Sequence, residues 1–149
     1  MNLERYPTAV EEDGNLFIFE SVGVKGTITK VIQFVPIGFE GFYHLGFGDY
    51  DPISREVNDR AISNNGDTEK VLATVVYSVY LFTTKFPAAK VIAYGSTSSR
   101  NRLYQIGISK YLDAAKSIFH VFGDRGEERW EAFERGVNYE RFMVVRKQY

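Results

Sequence analysis

The chain has 149 residues, of which 44% are hydrophobic and 25% charged, and these values suit one globular domain with a real core, residues 1–149. Without cysteine and with two histidines, the sequence excludes a disulfide framework, a cysteine nucleophile, a cysteine-ligated metal and a histidine-rich metal centre. The net charge of −1 lacks the strongly basic footprint of nucleic-acid-binding domains, so nucleic acid is not an expected partner.

The first residues, MNLERYPTAVEEDG, are charged and lack the apolar core of a signal peptide. No apolar run approaches the roughly 18 residues that a membrane-spanning helix needs. We therefore expect a cytoplasmic protein without a membrane partner. A homodimer is compatible with this sequence.

Three strands are predicted in the first third of the chain. The first, LFIFESVG, places Phe17 and Phe19 on one side, and residues 27–37 alternate and are rich in β-branched side chains. Residues 42–49 form the third predicted strand, and short glycine-containing turns separate the three. Because short connections suit hairpins, an antiparallel meander is expected.

The next segment, residues 50–67, is polar and has no sustained hydrophobic period. A loop of this length in a compact domain is often functional. We expect this loop to pack over the start of a second helix, predicted at 98–116. A plain surface excursion with a helical turn is an equal alternative.

Two helices and three further strands are predicted in the remainder. Residues 68–86 carry a helical stripe from Val71 to Phe86, with Asp67 as N-cap and Thr74 and Ser78 on the opposite, polar face. A buried strand at 90–95, a helix at 98–116 and strands at 117–124 and 139–147 follow, and 126–138 is ambiguous. This order predicts an α+β fold, with two main helices packed on a largely antiparallel sheet of about five to six strands.

The join between the strand at 90–95 and the second helix has the features of an anion seat. A helix N-terminus carries unpaired N–H groups and partial positive charge. Here Gly95 would let a ligand approach the backbone, and the four hydroxyls that follow it could donate to an anion; they belong to Ser96, Thr97, Ser98 and Ser99. The alternative is a capped helix in which one hydroxyl is the N-cap and the others are turn residues.

Arg100 lies in the middle of the apolar face of this helix, whereas Arg102 lies on its polar face. A guanidinium directed at the core needs a partner, which would be a protein carboxylate or a ligand anion. The candidate carboxylates are Asp49, Asp59 and Asp67. We expect no metal site, although acids near a phosphate could hold Mg²⁺.

Two segments carry a resemblance to a known family. SNNGDTEKVLATV and GSTSSRNRLY resemble the S-N-N-G-D-x-x-K-V-L-A-T-V and G-S-T-x-x-R-x-R-L-Y blocks of an uncharacterised bacterial family, found mainly in Bacteroidetes, with a domain of unknown function. The likeness covers most of the chain. It implies no activity, substrate, cofactor or partner, but it favours the two blocks lining one site.

Three functions remain open from the sequence. The first is a binding domain for a phosphate-bearing small molecule or nucleotide at 95–100, with Asp49, Asp59 and Asp67 nearby. The second is an enzyme that uses those carboxylates on such a ligand. The third is a protein–protein interaction module of the toxin–antitoxin or phage-defence type, without catalytic activity.

Overall fold

The described part of the chain, residues 4–51, 53–58 and 65–148 of a computed structural model, has an α+β fold. It contains one mixed sheet and two helices. The strands are β1 (Ala9–Glu11), β2 (Leu16–Gly23), β3 (Gly26–Pro36), β4 (Phe42–Asp51), β5 (Glu56–Asn58), β6 (Lys90–Ala93), β7 (Phe119–Asp124), β8 (Glu131–Ala132) and β9 (Arg141–Arg146), and the helices are α1 (Thr68–Lys85) and α2 (Ser98–Lys116).

In the described part of the chain the sheet has nine strands, so the predicted number of five to six was wrong. Their order is β1-β2-β3-β4-β6-β9-β7-β8, with β5 beside β4. The three strands that were not predicted have only two or three residues each; they are β1, β5 and β8. Segments this short show no alternation, and they become strands because a neighbouring edge offers them backbone hydrogen bonds.

The predicted meander of β2, β3 and β4 is confirmed, and all strand pairs but one are antiparallel. The exception is β4 with β6, which run parallel. The chain leaves β4, passes through α1 and returns as β6, and such a crossover brings the second strand back in the same direction.

One edge of β4 is shared by two short partners. β6 pairs with Phe42–Leu45, β5 pairs with Asp49–Asp51, and β3 occupies the opposite edge along most of this length. Residues 46–48 lie between the two partners. Since β6 ends at this point, the turn into α2 follows beside the middle of β4, and the sheet divides there.

Both helices cover the same face of the sheet, and aromatic side chains dominate the core beneath them. Phe34 on β3 stacks on Phe82 of α1 with ring centroids 4.1 Å apart, and Phe17 meets Phe34 edge-on at 5.7 Å. Such contacts add to the large apolar area that each ring buries.

The buried face of α1 differs from the predicted stripe. Thr74 and Ser78, predicted on the polar face, are fully buried. At Thr74 the N-terminal segment packs on the helix, and the N–H of Tyr6 donates to the Thr74 hydroxyl at 3.0 Å. Both hydroxyls also donate to carbonyls of their own helix, which removes the cost of burying them.

Within the described residues, neither helix combines the length and apolarity that crossing a lipid bilayer requires.

Candidate functional site

The start of α2 is capped by Thr97. Its side-chain hydroxyl accepts a hydrogen bond from the backbone N–H of Arg100 at 3.1 Å, and its carbonyl accepts from the N–H of Asn101 at 3.0 Å. Ser96, Ser98 and Ser99 are exposed. One of the four hydroxyls is therefore the N-cap, and the other three face solvent around the helix start.

Gly95 is in close contact with the first turn of α2. A Cβ atom at this position would lie 2.2 Å from the backbone nitrogen of Asn101 and 2.8 Å from the Cβ of Arg100. The N–H of Gly95 donates to the side-chain oxygen of Asn101 at 3.1 Å, and the amide of Asn101 donates to the carbonyl of Tyr139 at 3.0 Å. The space that we expected a ligand to use is thus filled, on this side, by the helix itself.

Arg100 is buried and Arg102 is exposed, as the helical phase predicted. The exposed fraction of Arg100 is 4%, and its guanidinium carbon lies 4.7 Å from the centre of the Phe47 ring, within cation–π distance. Arg100 and the exposed Ser96 line one small pocket. Its free volume of about 10 Å³ admits a single water-sized group.

A second buried cation, Lys30, was missed by sequence reasoning. Lys30 faces Asp49 across β3 and β4, and its amino group lies 2.5 Å from a carboxylate oxygen of Asp49. The same amino group lies 5.5 Å from the centre of the Phe47 ring, so Lys30 and Arg100 both approach this ring. The strand alternation contained the signal, because Lys30 shares its face with Ile32 and Phe34.

Asp67 occupies the predicted N-cap position of α1, but its side chain makes no capping hydrogen bond. One carboxylate oxygen accepts hydrogen bonds from the hydroxyls of Tyr6 and Ser21, each at 2.5 Å. Burial raises the pKa of Tyr6, and its hydrogen bond to Asp67 raises it further. Asp67 therefore ties the N-terminal segment and β2 to the start of α1.

Asn65, which sequence reasoning also missed, fills the β2–β3 hairpin. Its side-chain amide donates to the Ser21 hydroxyl at 3.1 Å and to the Gly26 carbonyl at 3.0 Å, and its oxygen accepts from the N–H of Lys25. A Cβ on Gly23 would lie 1.8 Å from the backbone oxygen of Asn65. The described part of the block SNNGDTEKVLATV thus connects the β2–β3 hairpin to the start of α1.

Asp49 and Asp51 form an Asp-x-Asp pair on one face of β4 that the sequence analysis overlooked. Asp51 accepts hydrogen bonds from the backbone N–H groups of Ile53 and Ser54, which lower its pKa, while Asp49 meets Lys30. Among the described residues, no group of three or more metal-binding side chains comes together. Asp59 lies outside the described residues, as do residue 52 and residues 60–64 of the segment 50–67 that was expected to cover the start of α2.

A comparison with known families was decisive for classification. The model of a family of unknown function, DUF6934, matches residues 2–147. The chain belongs to this family. The match confirms the resemblance to a family with a domain of unknown function. No curated protein and no solved structure matches the chain at a significant level. Membership of DUF6934 carries no activity, so function has to be argued from the site.

Proposed function

We propose that the protein binds a phosphate-bearing small molecule or nucleotide at the start of α2, between Gly95 and Arg100. The observation that carries this proposal is the arginine buried in the first turn of a 19-residue helix, beside an exposed serine in the same pocket. Helix N-termini attract anions through their N–H groups and partial positive charge.

The backbone around the cap supports an anion at this end. The first hydrogen bond within α2 runs from the N–H of Asn101 to the carbonyl of Thr97, so the N–H groups of Ser98 and Ser99 precede it. Both residues are exposed. A phosphate at the surface would accept hydrogen bonds from these two N–H groups and from the neighbouring hydroxyls.

The dimensions of the pocket suit one atom of such a ligand. A phosphate oxygen is close in size to a water molecule, and the pocket beside Arg100 holds one group of that size. In this arrangement one oxygen enters past Ser96 towards the guanidinium, and the remaining oxygens stay at the helix start. Arginine is well suited to phosphate because its N–H donors match the oxygen geometry.

Calorimetric titration with pyrophosphate, AMP and ATP tests the proposal. Arg100→Gln should weaken binding by roughly tenfold or more, because a charge-assisted hydrogen bond contributes about 1.5–3 kcal/mol. Arg102→Gln is the matched control, since this arginine lies two residues away and is exposed. The proposal fails if the wild-type protein takes up none of the three anions, or if the two variants bind them equally well.

A further inference from the structure

A second cavity lies inside the protein, between α1, α2 and the helix-covered face of the sheet. Leu45, Ala93 and Val121 of the sheet form its floor, Val76 lies on the α1 side, and Ile108 and Ala115 lie on the α2 side. The free volume is about 90 Å³. Val76 and Ile108 are only half-buried, so the cavity reaches the surface between the helices.

The walls of this cavity are apolar almost throughout. Among the residues that the structure describes, no charged side chain lines it, and carbon atoms make up nearly all of its surface. A water molecule is stable in a protein interior when two to four polar groups bind it, and a charged ligand there would lose its hydration without replacement. The cavity therefore excludes ions and favours an uncharged apolar occupant.

Small side chains keep the space open. Ala93 and Ala115 border it, and Gly107 brings the helices together, because a Cβ on Gly107 would lie 3.1 Å from a methyl carbon of Leu72. The helices thus touch at Gly107 and leave a gap beside it. Protein interiors are normally packed without voids of this size, since each void costs stability.

We infer that this cavity is a binding site for the short apolar end of a small molecule, an alkyl group of about three to five carbon atoms. The size follows from comparison with an engineered apolar cavity of roughly 150 Å³, which stays dry and takes up benzene or xenon. At about 90 Å³, the cavity here suits xenon or a short alkyl group. A polar part of the ligand would remain at the opening beside Val76 and Ile108.

Methyl-detected NMR titration with xenon and with isobutanol tests the inference, and glycerol serves as the polar control. Saturable shifts are expected at the methyl groups of Val76 and Ile108 with both apolar probes and not with glycerol. Ala115→Leu should fill the cavity and weaken binding by about tenfold or more. Ala114→Leu is the matched control, because Ala114 is its neighbour on α2 and is exposed.

A second matched pair covers the case in which Ala115→Leu does not fold. Ile108→Phe enlarges a side chain that lines the cavity, whereas Ile106→Phe makes the same change at an exposed position. Shifts that rise linearly without saturation in the wild-type protein would overturn the inference, as would unchanged xenon binding in the folded cavity-filling variant. Arg100→Gln should leave xenon binding unchanged, which separates failure here from failure of the anion site.

Discussion

The amino group of Lys30 and a carboxylate oxygen of Asp49 lie 2.5 Å apart across β3 and β4, on the face of the sheet that the helices cover. The two partners differ in environment, since the side chain of Lys30 is 4% exposed and that of Asp49 is 22% exposed. Removing one partner of a buried ion pair costs more when the remaining charge has less access to water.

Asp49→Asn should therefore destabilise the protein more than Lys30→Met. We expect a loss of about 2 kcal/mol in the free energy of unfolding for Asp49→Asn, and about 1 kcal/mol for Lys30→Met, because the carboxylate that remains is reached by solvent. Urea unfolding of both variants measures the difference. A larger loss for Lys30→Met would contradict this account of the pair.

Arg100→Ala and Arg102→Ala should separate an architectural arginine from a ligand-binding one. If a buried protein carboxylate is the main partner of Arg100, Arg100→Ala should cost on the order of 3 kcal/mol. If a ligand is the main partner, stability should change little while anion binding falls. Arg102→Ala should cost well under about 1 kcal/mol, as exposed charges usually do. Melting temperatures and calorimetric anion titrations of both variants distinguish these two cases. Equal small effects in the two variants would mean that Arg100 has no special role.

Gly95→Ala should destabilise the protein by about 2 kcal/mol or more, because the new Cβ would lie 2.2 Å from the backbone of Asn101 and force the helix start to move. Gly46→Ala provides the control. No atom of the described residues, apart from those of its chain neighbours, lies within 4 Å of a Cβ placed at Gly46, so this change should be close to neutral. Chemical denaturation of both variants tests the pair, and equal losses would mean that the contact at Gly95 does not hold α2 in place.

The ion pair between Asp124 and Arg141 should make stability depend on pH. Burial raises the pKa of Asp124, but hydrogen bonds from Arg141 and from the N–H groups of Gly126 and Glu127 outweigh it and bring the pKa to about 2. In the unfolded chain the pKa is about 3.9. The stabilisation by Asp124 is thus fully present above about pH 5 and is lost as pH falls through about 2.

Urea unfolding of wild type and Asp124→Asn at several pH values measures this dependence. The variant should be less stable at pH 7, by about 1.5–3 kcal/mol, and the gap should narrow between about pH 4 and pH 2. Asp113→Asn is the control, because the ion pair of Asp113 with Arg135 is on the surface and contributes little. A gap that stays constant down to pH 2 would show that the charge of Asp124 is not the cause.

Much of the secondary structure could be predicted because it is encoded locally. The long strands β2, β3 and β4 alternate over eight or more residues, and the two helices repeat an apolar stripe over 18 and 19 residues. The features that were predicted wrongly or not at all depend on contacts between distant segments. Thr74 is buried where the N-terminal segment packs on α1 at Tyr6, and β5 exists because β4 offers it a free edge.

At the candidate site, the helix start at 95–100 and the burial of Arg100 could be predicted from the sequence, since both follow from local turn chemistry and helical phase. Which distant side chains pair, near this site and at the start of α1, depends on how the whole chain packs. Lys30 and Asp49 are 19 positions apart, and Tyr6 and Asp67 are 61 apart. Such pairs form because strand register and helix packing bring distant segments together. Neither composition nor periodicity within one segment predicts which segments will meet.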